Sequence, residues 1–275
     1  MAHLNVTIID VGWGDSMFIE HEDAHGRPHY ALVDSNDERD INSTRMFIER
    51  HFRLMRREMP RPLFDFVLLT HPHDDHMQGL QGLMRRYGTR YFLHPKSNRL
   101  GNNAPLLRYC RRSSLVEQYD AAYAGKPLPP FGDVAMQTLW PLDGHISDDE
   151  NNNSVVISLT YGAGCVVLTG DAEEEAWRHI GSGIPANTVF FKVPHHGSRN
   201  GSLDGGGNPT WLPNCPPGAK LGISCMYRAD YKHPHQEVLD AFTDDQRTYY
   251  RTDEHYHLTV TLRGGSIPEV KYAHV

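Results

Sequence analysis

Residues 68–76, Leu68-Leu69-Thr70-His71-Pro72-His73-Asp74-Asp75-His76, constrain this chain more than any other stretch. Three histidines and two aspartates fall within six residues, directly after an apolar run (Phe64, Phe66, Val67, Leu68, Leu69) that reads as a buried strand. Crowding so many ionisable and imidazole groups at one strand end is costly unless something pairs with them. A divalent metal is the usual partner, because neutral imidazole nitrogen and carboxylate oxygen are its normal ligands. His71 and His73, two residues apart, can point the same way at the end of an extended segment. Asp75 and His76 follow as the chain turns into a helix and can address a second metal. A solvated His-rich loop is the weaker reading, since the preceding strand and following helix both fit a site.

Histidine or aspartate ends at least four strands in the pattern. The strand at 30–34 closes on Asp34, which could equally be a helix cap. Cys165-Val-Val-Leu-Thr leads to Gly170-Asp171, and Thr188-Val-Phe-Phe-Lys-Val leads to Pro194-His195-His196-Gly197-Ser198. Asp10-Val-Gly-Trp-Gly-Asp15-Ser carries two glycines around one residue, the mark of a tight turn or a close backbone approach. Tyr231-Lys-His233-Pro-His235 opens a helix over 236–242. Other helices are expected over 42–58, 78–87, 105–124 and 173–180. The 105–124 helix carries Arg108, Arg111 and Arg112, either a solvated face or a lid over the site. Strand-rich segments alternate with helices twice, with no linker and no short repeat. The layer argument then predicts an α/β fold, an αββα four-layer sandwich of two mixed β-sheets flanked by helices. One domain is expected over 1–275, with residues 95–130 as a helical insertion. In such a sandwich dispersed strand ends can converge on one edge.

Bulk properties narrow the class. A chain of 275 residues with 39% hydrophobic residues can build a large core. No apolar run approaches the ~20 residues that cross a bilayer. The start, Met1-Ala2-His3-Leu4, enters a strand pattern without a basic-then-apolar leader. The cysteines (Cys110, Cys165, Cys215, Cys225) are scattered, so core packing is expected rather than disulfides, with a cytoplasmic location and no membrane partner. The net charge of −7 argues against a general duplex-DNA coat, which needs a basic surface. It leaves room for a nuclease whose metals supply local positive charge.

Five segments together resemble the metallo-β-lactamase fold superfamily. They are Asp10-Val-Gly-Trp-Gly-Asp-Ser, Thr70-His-Pro-His-Asp-Asp-His, Asn151-Asn-Asn-Ser-Val-Val, Leu168-Thr-Gly-Asp171 and Lys192-Val-Pro-His-His-Gly-Ser. The second marks the superfamily; the fifth, in that order, resembles the ComEC-like soluble hydrolase branch, as does Tyr231-Lys-His233-Pro. The likeness extends over about residues 4–262. It implies a metallo-hydrolase with His71 and His73 on a first metal, Asp75 and His76 on a second, and Asp171 bridging them. Of the pair His195-His196 it implies a further ligand or a proton-transfer group, and His195, nearer the strand end, is expected to face the metal. Asp34 is expected to orient a ligand histidine rather than bind metal. Most of the superfamily has a histidine before the bridging aspartate. Here Asn151, Asn153 and Ser154 occupy that region, as in the ComEC-like branch, which weakens the first site and favours manganese or magnesium over zinc.

Two divalent ions, zinc or manganese with magnesium a further candidate, are therefore expected. Asp75, His196 and His233 are the candidate catalytic groups, and Asp15, Asp34, Asn151, Asn153, Ser154 and Ser198 the supporting or substrate-facing ones. The resemblance implies a phosphodiesterase or nuclease acting on single-stranded nucleic acid. A hydrolase of a small phosphodiester such as a cyclic nucleotide, or of another small ester, is the alternative. A non-catalytic metal-binding partner in an operon-encoded complex is the alternative of another class.

Overall fold

The structure, a computed structural model, describes residues 2–38, 42–101, 104–226, 232–265 and 267–273. The first half runs β1 (His3–Ile8), β2 (Met17–Glu22), β3 (Pro28–Val33), α1 (Ser43–Met55), β4 (Phe64–Leu68), α2 (Asp74–Met77), α3 (Leu80–Tyr87), β5 (Thr89–His94), α4 (Pro105–Arg112) and β6 (Val116–Ala121). The second runs β7 (Ala135–Trp140), β8 (Val156–Tyr161), β9 (Gly164–Leu168), α5 (Glu174–Ile180), β10 (Thr188–Lys192), α6 (Arg199–Ser202), β11 (Lys220–Ile223), α7 (Gln236–Asp244), β12 (Tyr249–Arg251), α8 (Thr252–His255), β13 (His257–Leu262) and β14 (Glu269–Ala273).

The strands form two mixed sheets. One has eight strands in the order β14-β13-β1-β2-β3-β4-β5-β6, the other six in the order β12-β11-β10-β9-β8-β7. Both sheets are buried on both faces, so side chains of one strand divide between two cores. Along β4, Phe66 and Leu68 face the other sheet, meeting Ile157, Val166 and Phe190 in the central core. Val67, between them, faces outward and packs with Phe47, Phe52 and Met84 of α1 and α3. In the second sheet Val167 and Phe191 turn outward to Trp177 of α5 and Phe242 of α7. Helix, sheet, sheet, helix are thus four layers, the expected αββα sandwich.

One element differs from the sequence pattern. The helix expected over 105–124 ends at Arg112, and Val116–Ala121 is instead a strand paired in parallel with β5. Tyr231, part of one quoted motif, lies outside the described residues. Among the described residues no helix is long and apolar enough to cross a membrane.

Candidate metal centre

The parallel strands β3, β4, β9 and β10 deliver their carboxyl ends to one edge of the sandwich. Asp34 follows β3, His71–His76 follow β4, Asp171 follows β9, and His195-His196 follow β10. Two glycines allow these ends to approach. Gly14 has φ +100° and faces the Asp75 backbone, where a side chain would collide with the Asp75 carbonyl oxygen. Gly170, at φ +52°, would set a Cβ 2.7 Å from Thr70.

Asp171 is the hub. Its Oδ2 lies 3.3 Å from His76 Nε2, 3.4 Å from His196 Nε2, 3.8 Å from His195 Nε2 and 4.0 Å from His71 Nε2. Each of these imidazoles has an oxygen at Nδ1. His76 Nδ1 is 2.8 Å from Asp34 Oδ2, His196 Nδ1 is 2.9 Å from the Ser224 carbonyl, and His195 Nδ1 is 2.7 Å from Glu173 Oε1. His71 Nδ1 lies 3.2 Å from Thr70 Oγ1. Asp34 is itself fixed, accepting from Thr70 N at 2.7 Å and Thr70 Oγ1 at 2.6 Å. Oxygen partners at Nδ1 leave Nε2 facing inward, the arrangement that tunes metal-ligating histidines.

Sets of three groups come within 4.8 Å of one another: His71, His76 and Asp171; Asp75, His76 and His196; Asp15, Asp171 and His196; Asp15, Asp34 and His76. The donor set fits a divalent ion. His76 Nε2, His196 Nε2 and Asp171 Oδ1 are buried and make no hydrogen bond among the described residues. Left so, they carry the full desolvation cost of unsatisfied polar atoms. Protons substitute for a cation in the protein alone. Burial disfavours the His76 imidazolium, but Asp171, Asp75 and Asp34 outweigh it and hold its pKa well above the ordinary range. For His196 the same contest, led by burial and reversed by Asp171, Asp75 and Asp15, ends at about 10. Asp171 is held well below the carboxylate range, since His196, His76 and His195 outweigh its burial. Burial pushes His71 well down.

These shifts predict a pH dependence. A histidine raised in the folded state contributes stability fully below its unfolded value and loses it as pH rises through the folded one. For His196 that window runs from 6.5 to about 10. Below 6.5, His71 and His233, whose pKa values burial lowers, act in the opposite sense. The chelator-treated protein is therefore expected to melt at steadily lower temperature between pH 7 and 10. Scanning calorimetry in matched buffers measures this, and a flat profile would contradict it.

Not every candidate residue reaches the hub. His73 borders it: its Nδ1 is 3.0 Å from His71 Nε2 and its ring is half-buried. Asp75 lines the mouth, its Oδ2 3.6 Å from His196 Nε2. Asp15 is buried against Lys192 Nζ and lies 3.6 Å from His196 Nδ1. Ser154 Oγ accepts from Asp171 N at 3.0 Å. Asn151 Nδ2 donates to Glu173 at 3.0 Å, and its Oδ1 is buried without a hydrogen bond among the described residues. Asn153 spends its amide on Ser147 and Glu150 and shapes the loop. Ser198 caps α6, accepting from Gly201 N at 3.0 Å.

Both His195 and His196 turn Nε2 toward Asp171, at 3.8 and 3.4 Å. Within the tight groups the imidazole is that of His196, fully buried, while His195 stands at the rim. Both residues have left-handed backbones, with φ 46° and 53°, so strand alternation does not decide which faces inward. His233 stacks on Trp13, ring centroids 5.6 Å apart, and sits 5.4 Å from His195. Burial, then His195 and His196, push its pKa down to about 3, so it is neutral at physiological pH. Three residues of the site escaped the sequence reading: Thr70, Glu173 and Lys192. Lys192 carried a signal, since a lysine in an otherwise buried strand needs an ion partner.

Residues 7–204 match the family model of the metallo-beta-lactamase superfamily. The chain belongs to that superfamily. Among curated relatives, ComE operon protein 3 of Bacillus subtilis (strain 168) is 25% identical over 259 residues, 90% of this chain and 32% of its own length. The protein YcaI of Escherichia coli (strain K12) is 28% identical over 138 residues, 50% of this chain and 16% of its own. The chain thus spans a third or less of the length of either relative. Solved structures similar to it include the short form of human tRNase Z (TM-score 0.46, 11% identity, 90% of this chain and 92% of that one). Another is the metallo-beta-lactamase MIM-1 from Novosphingobium pentaromativorans (TM-score 0.43, 12% identity, 86% and 87%). As a superfamily member with His/Asp clusters able to hold metal, the chain is read as a metal-dependent hydrolase.

Proposed function

We propose that this chain is a phosphodiesterase that cleaves single-stranded nucleic acid at a centre for two divalent ions. His71, His73, Asp171 and His195 would hold the first ion, and Asp75, His76, Asp171 and His196 the second. Imidazole dominates this set, which suits zinc, whereas the carboxylates of Asp75 and Asp171 and the asparagine-rich first site suit manganese or magnesium. Bound there, the ions would supply Lewis-acid polarisation of a phosphoryl oxygen and an activated water. Asp75, the carboxylate at the mouth, would accept a hydrogen bond from a water entering the site. His196 would serve as a ligand through Nε2, which faces Asp171 while the Ser224 carbonyl holds its Nδ1. His233, neutral and stacked on Trp13, offers a hydrogen bond to a phosphate oxygen rather than a proton.

One observation carries the polymer reading. A cleft of about 650 Å³ opens at Asp75, lined by Trp13, Asn36, Gln78 and Met226. Glu38 and Gln78 also border a groove of about 860 Å³ lined by Asp37, Arg45, Arg85 and Arg86. Trp13 in the cleft and the arginines of the groove beside it suit a single strand, which binds by base stacking and phosphate neutralisation. A small cyclic substrate calls for a closed pocket instead.

The test is cleavage of labelled single-stranded DNA, single-stranded RNA and a cyclic dinucleotide with added Mn²⁺. Cleavage of a single strand, abolished in His73→Ala and Asp75→Ala, is the expected result. Turnover of the cyclic dinucleotide alone would replace this reading with the small-substrate one. No turnover of any substrate would favour a non-catalytic partner module. The triple variant Arg45→Glu, Arg85→Glu, Arg86→Glu is expected to lower the ratio of oligonucleotide to bis(p-nitrophenyl) phosphate turnover at least tenfold. It should also flatten the salt dependence of oligonucleotide binding by a slope of roughly 2–3, close to one for each phosphate that an arginine no longer neutralises.

A further inference from the structure

Where most of the superfamily has a histidine before the bridging aspartate, this chain has Asn151, whose Oδ1 is buried and makes no hydrogen bond among the described residues. The Asn151 amide donates to Glu173 Oε1 at 3.0 Å. The same oxygen lies 2.7 Å from His195 Nδ1. Glu173 is buried and stands two residues after the hub aspartate, so one turn of chain presents both carboxylates. Its backbone is pinned as well, with its N–H donating to Asn152 Oδ1 at 3.2 Å. His195 is otherwise weakly determined. Its left-handed backbone sits in a short loop, its ring is partly exposed, and its Nε2 is 3.8 Å from Asp171 Oδ2.

We propose that Glu173 is a positioning residue: with Asn151 behind it, its carboxylate takes the Nδ1–H of His195 and aims Nε2 at the first metal position. Asn151 and Glu173 together thereby return an imidazole to a place the sequence leaves without one. This rests on the two-ion reading above, though not on the substrate. A carboxylate behind a ligand histidine fixes its tautomer and raises its basicity, and losing one typically costs 10–100-fold in metal affinity.

The experiment is calorimetric titration of the metal-free full chain with Zn²⁺ and with Mn²⁺. In Glu173→Ala one of the two binding events is expected to weaken about 10–100-fold while the other holds. Glu173→Gln, which keeps an acceptor oxygen, should recover most of the loss. The double variant Glu173→Ala, His195→Ala should bind no more weakly than His195→Ala alone, because Glu173 acts through that ring. Additive losses, or an unchanged first event, would overturn the proposal. Nitrogen-15 NMR of the unmutated protein gives a second measurement that needs no variant to fold. It should find the His195 proton on Nδ1, and a proton on Nε2 alone would also overturn it. Two tightly bound ions with no phosphodiester cleavage would remove the proposed function and leave this inference standing. Normal cleavage with an unchanged Glu173→Ala titration would do the reverse. A protein that binds neither metal defeats both.

Discussion

Asp171→Asn is expected to reduce phosphodiester cleavage by at least about 10²–10³-fold, the usual loss when one electrostatic stabiliser is removed from a preorganised site. It should also lower metal content below that of the parent. Four imidazole Nε2 atoms lie within 4.0 Å of Asp171 Oδ2, so this substitution disturbs all four at once. An amide fills the same volume, so the fold has no steric reason to change. What disappears is the charge that balances His76 and His196. Elemental analysis of the purified variant beside a cleavage assay reads both effects. A variant with full activity and full metal content would remove Asp171 from the centre.

The second large effect concerns stability. Lys192 is fully buried at the end of β10, paired with the equally buried Asp15, and donates to the Gly170 carbonyl at 3.1 Å. Lys192→Met removes the cation and strands the carboxylate, which for a buried pair costs about 3–5 kcal/mol. Urea unfolding of the chelator-treated protein should therefore show a much lower midpoint with an unchanged slope. Asp15→Asn combined with Lys192→Met should recover most of the loss, because the uncompensated charge has gone. If the double variant is as unstable as the single one, packing of the lysine stem rather than the charge accounts for the loss.

The sandwich was legible because its strands report burial directly. Val67 between Phe66 and Leu68 gives an unbroken apolar run, which only a strand covered on both faces carries. The clustering of His71, Asp75, His76 and Asp171 at one sheet edge was legible because polar groups at the ends of such runs need a partner and the resemblance joined them. The rest depended on neighbours distant in sequence. In β6, Val116 is buried while Glu117, Gln118, Tyr119 and Asp120 are exposed, so an edge strand presented no alternation and looked like more helix. Glu173 resembled an ordinary acidic residue opening a helix. Its actual partner, His195, lies on a different strand end. The choice between His195 and His196 turned on backbone angles that no periodicity encodes.

The hub sits on a seam. His71–His76 hang from the eight-stranded sheet, while Asp171 and His196 hang from the six-stranded one. An ion gripped from both sides would be a staple between the two halves, closing a long loop of chain much as a cross-link does. Part of its binding energy would then appear as cohesion of the sandwich itself, graded by the free-ion concentration around it. The protein's lifetime would follow metal supply, and a metal-starved chain would open first along the edge where its chemistry resides.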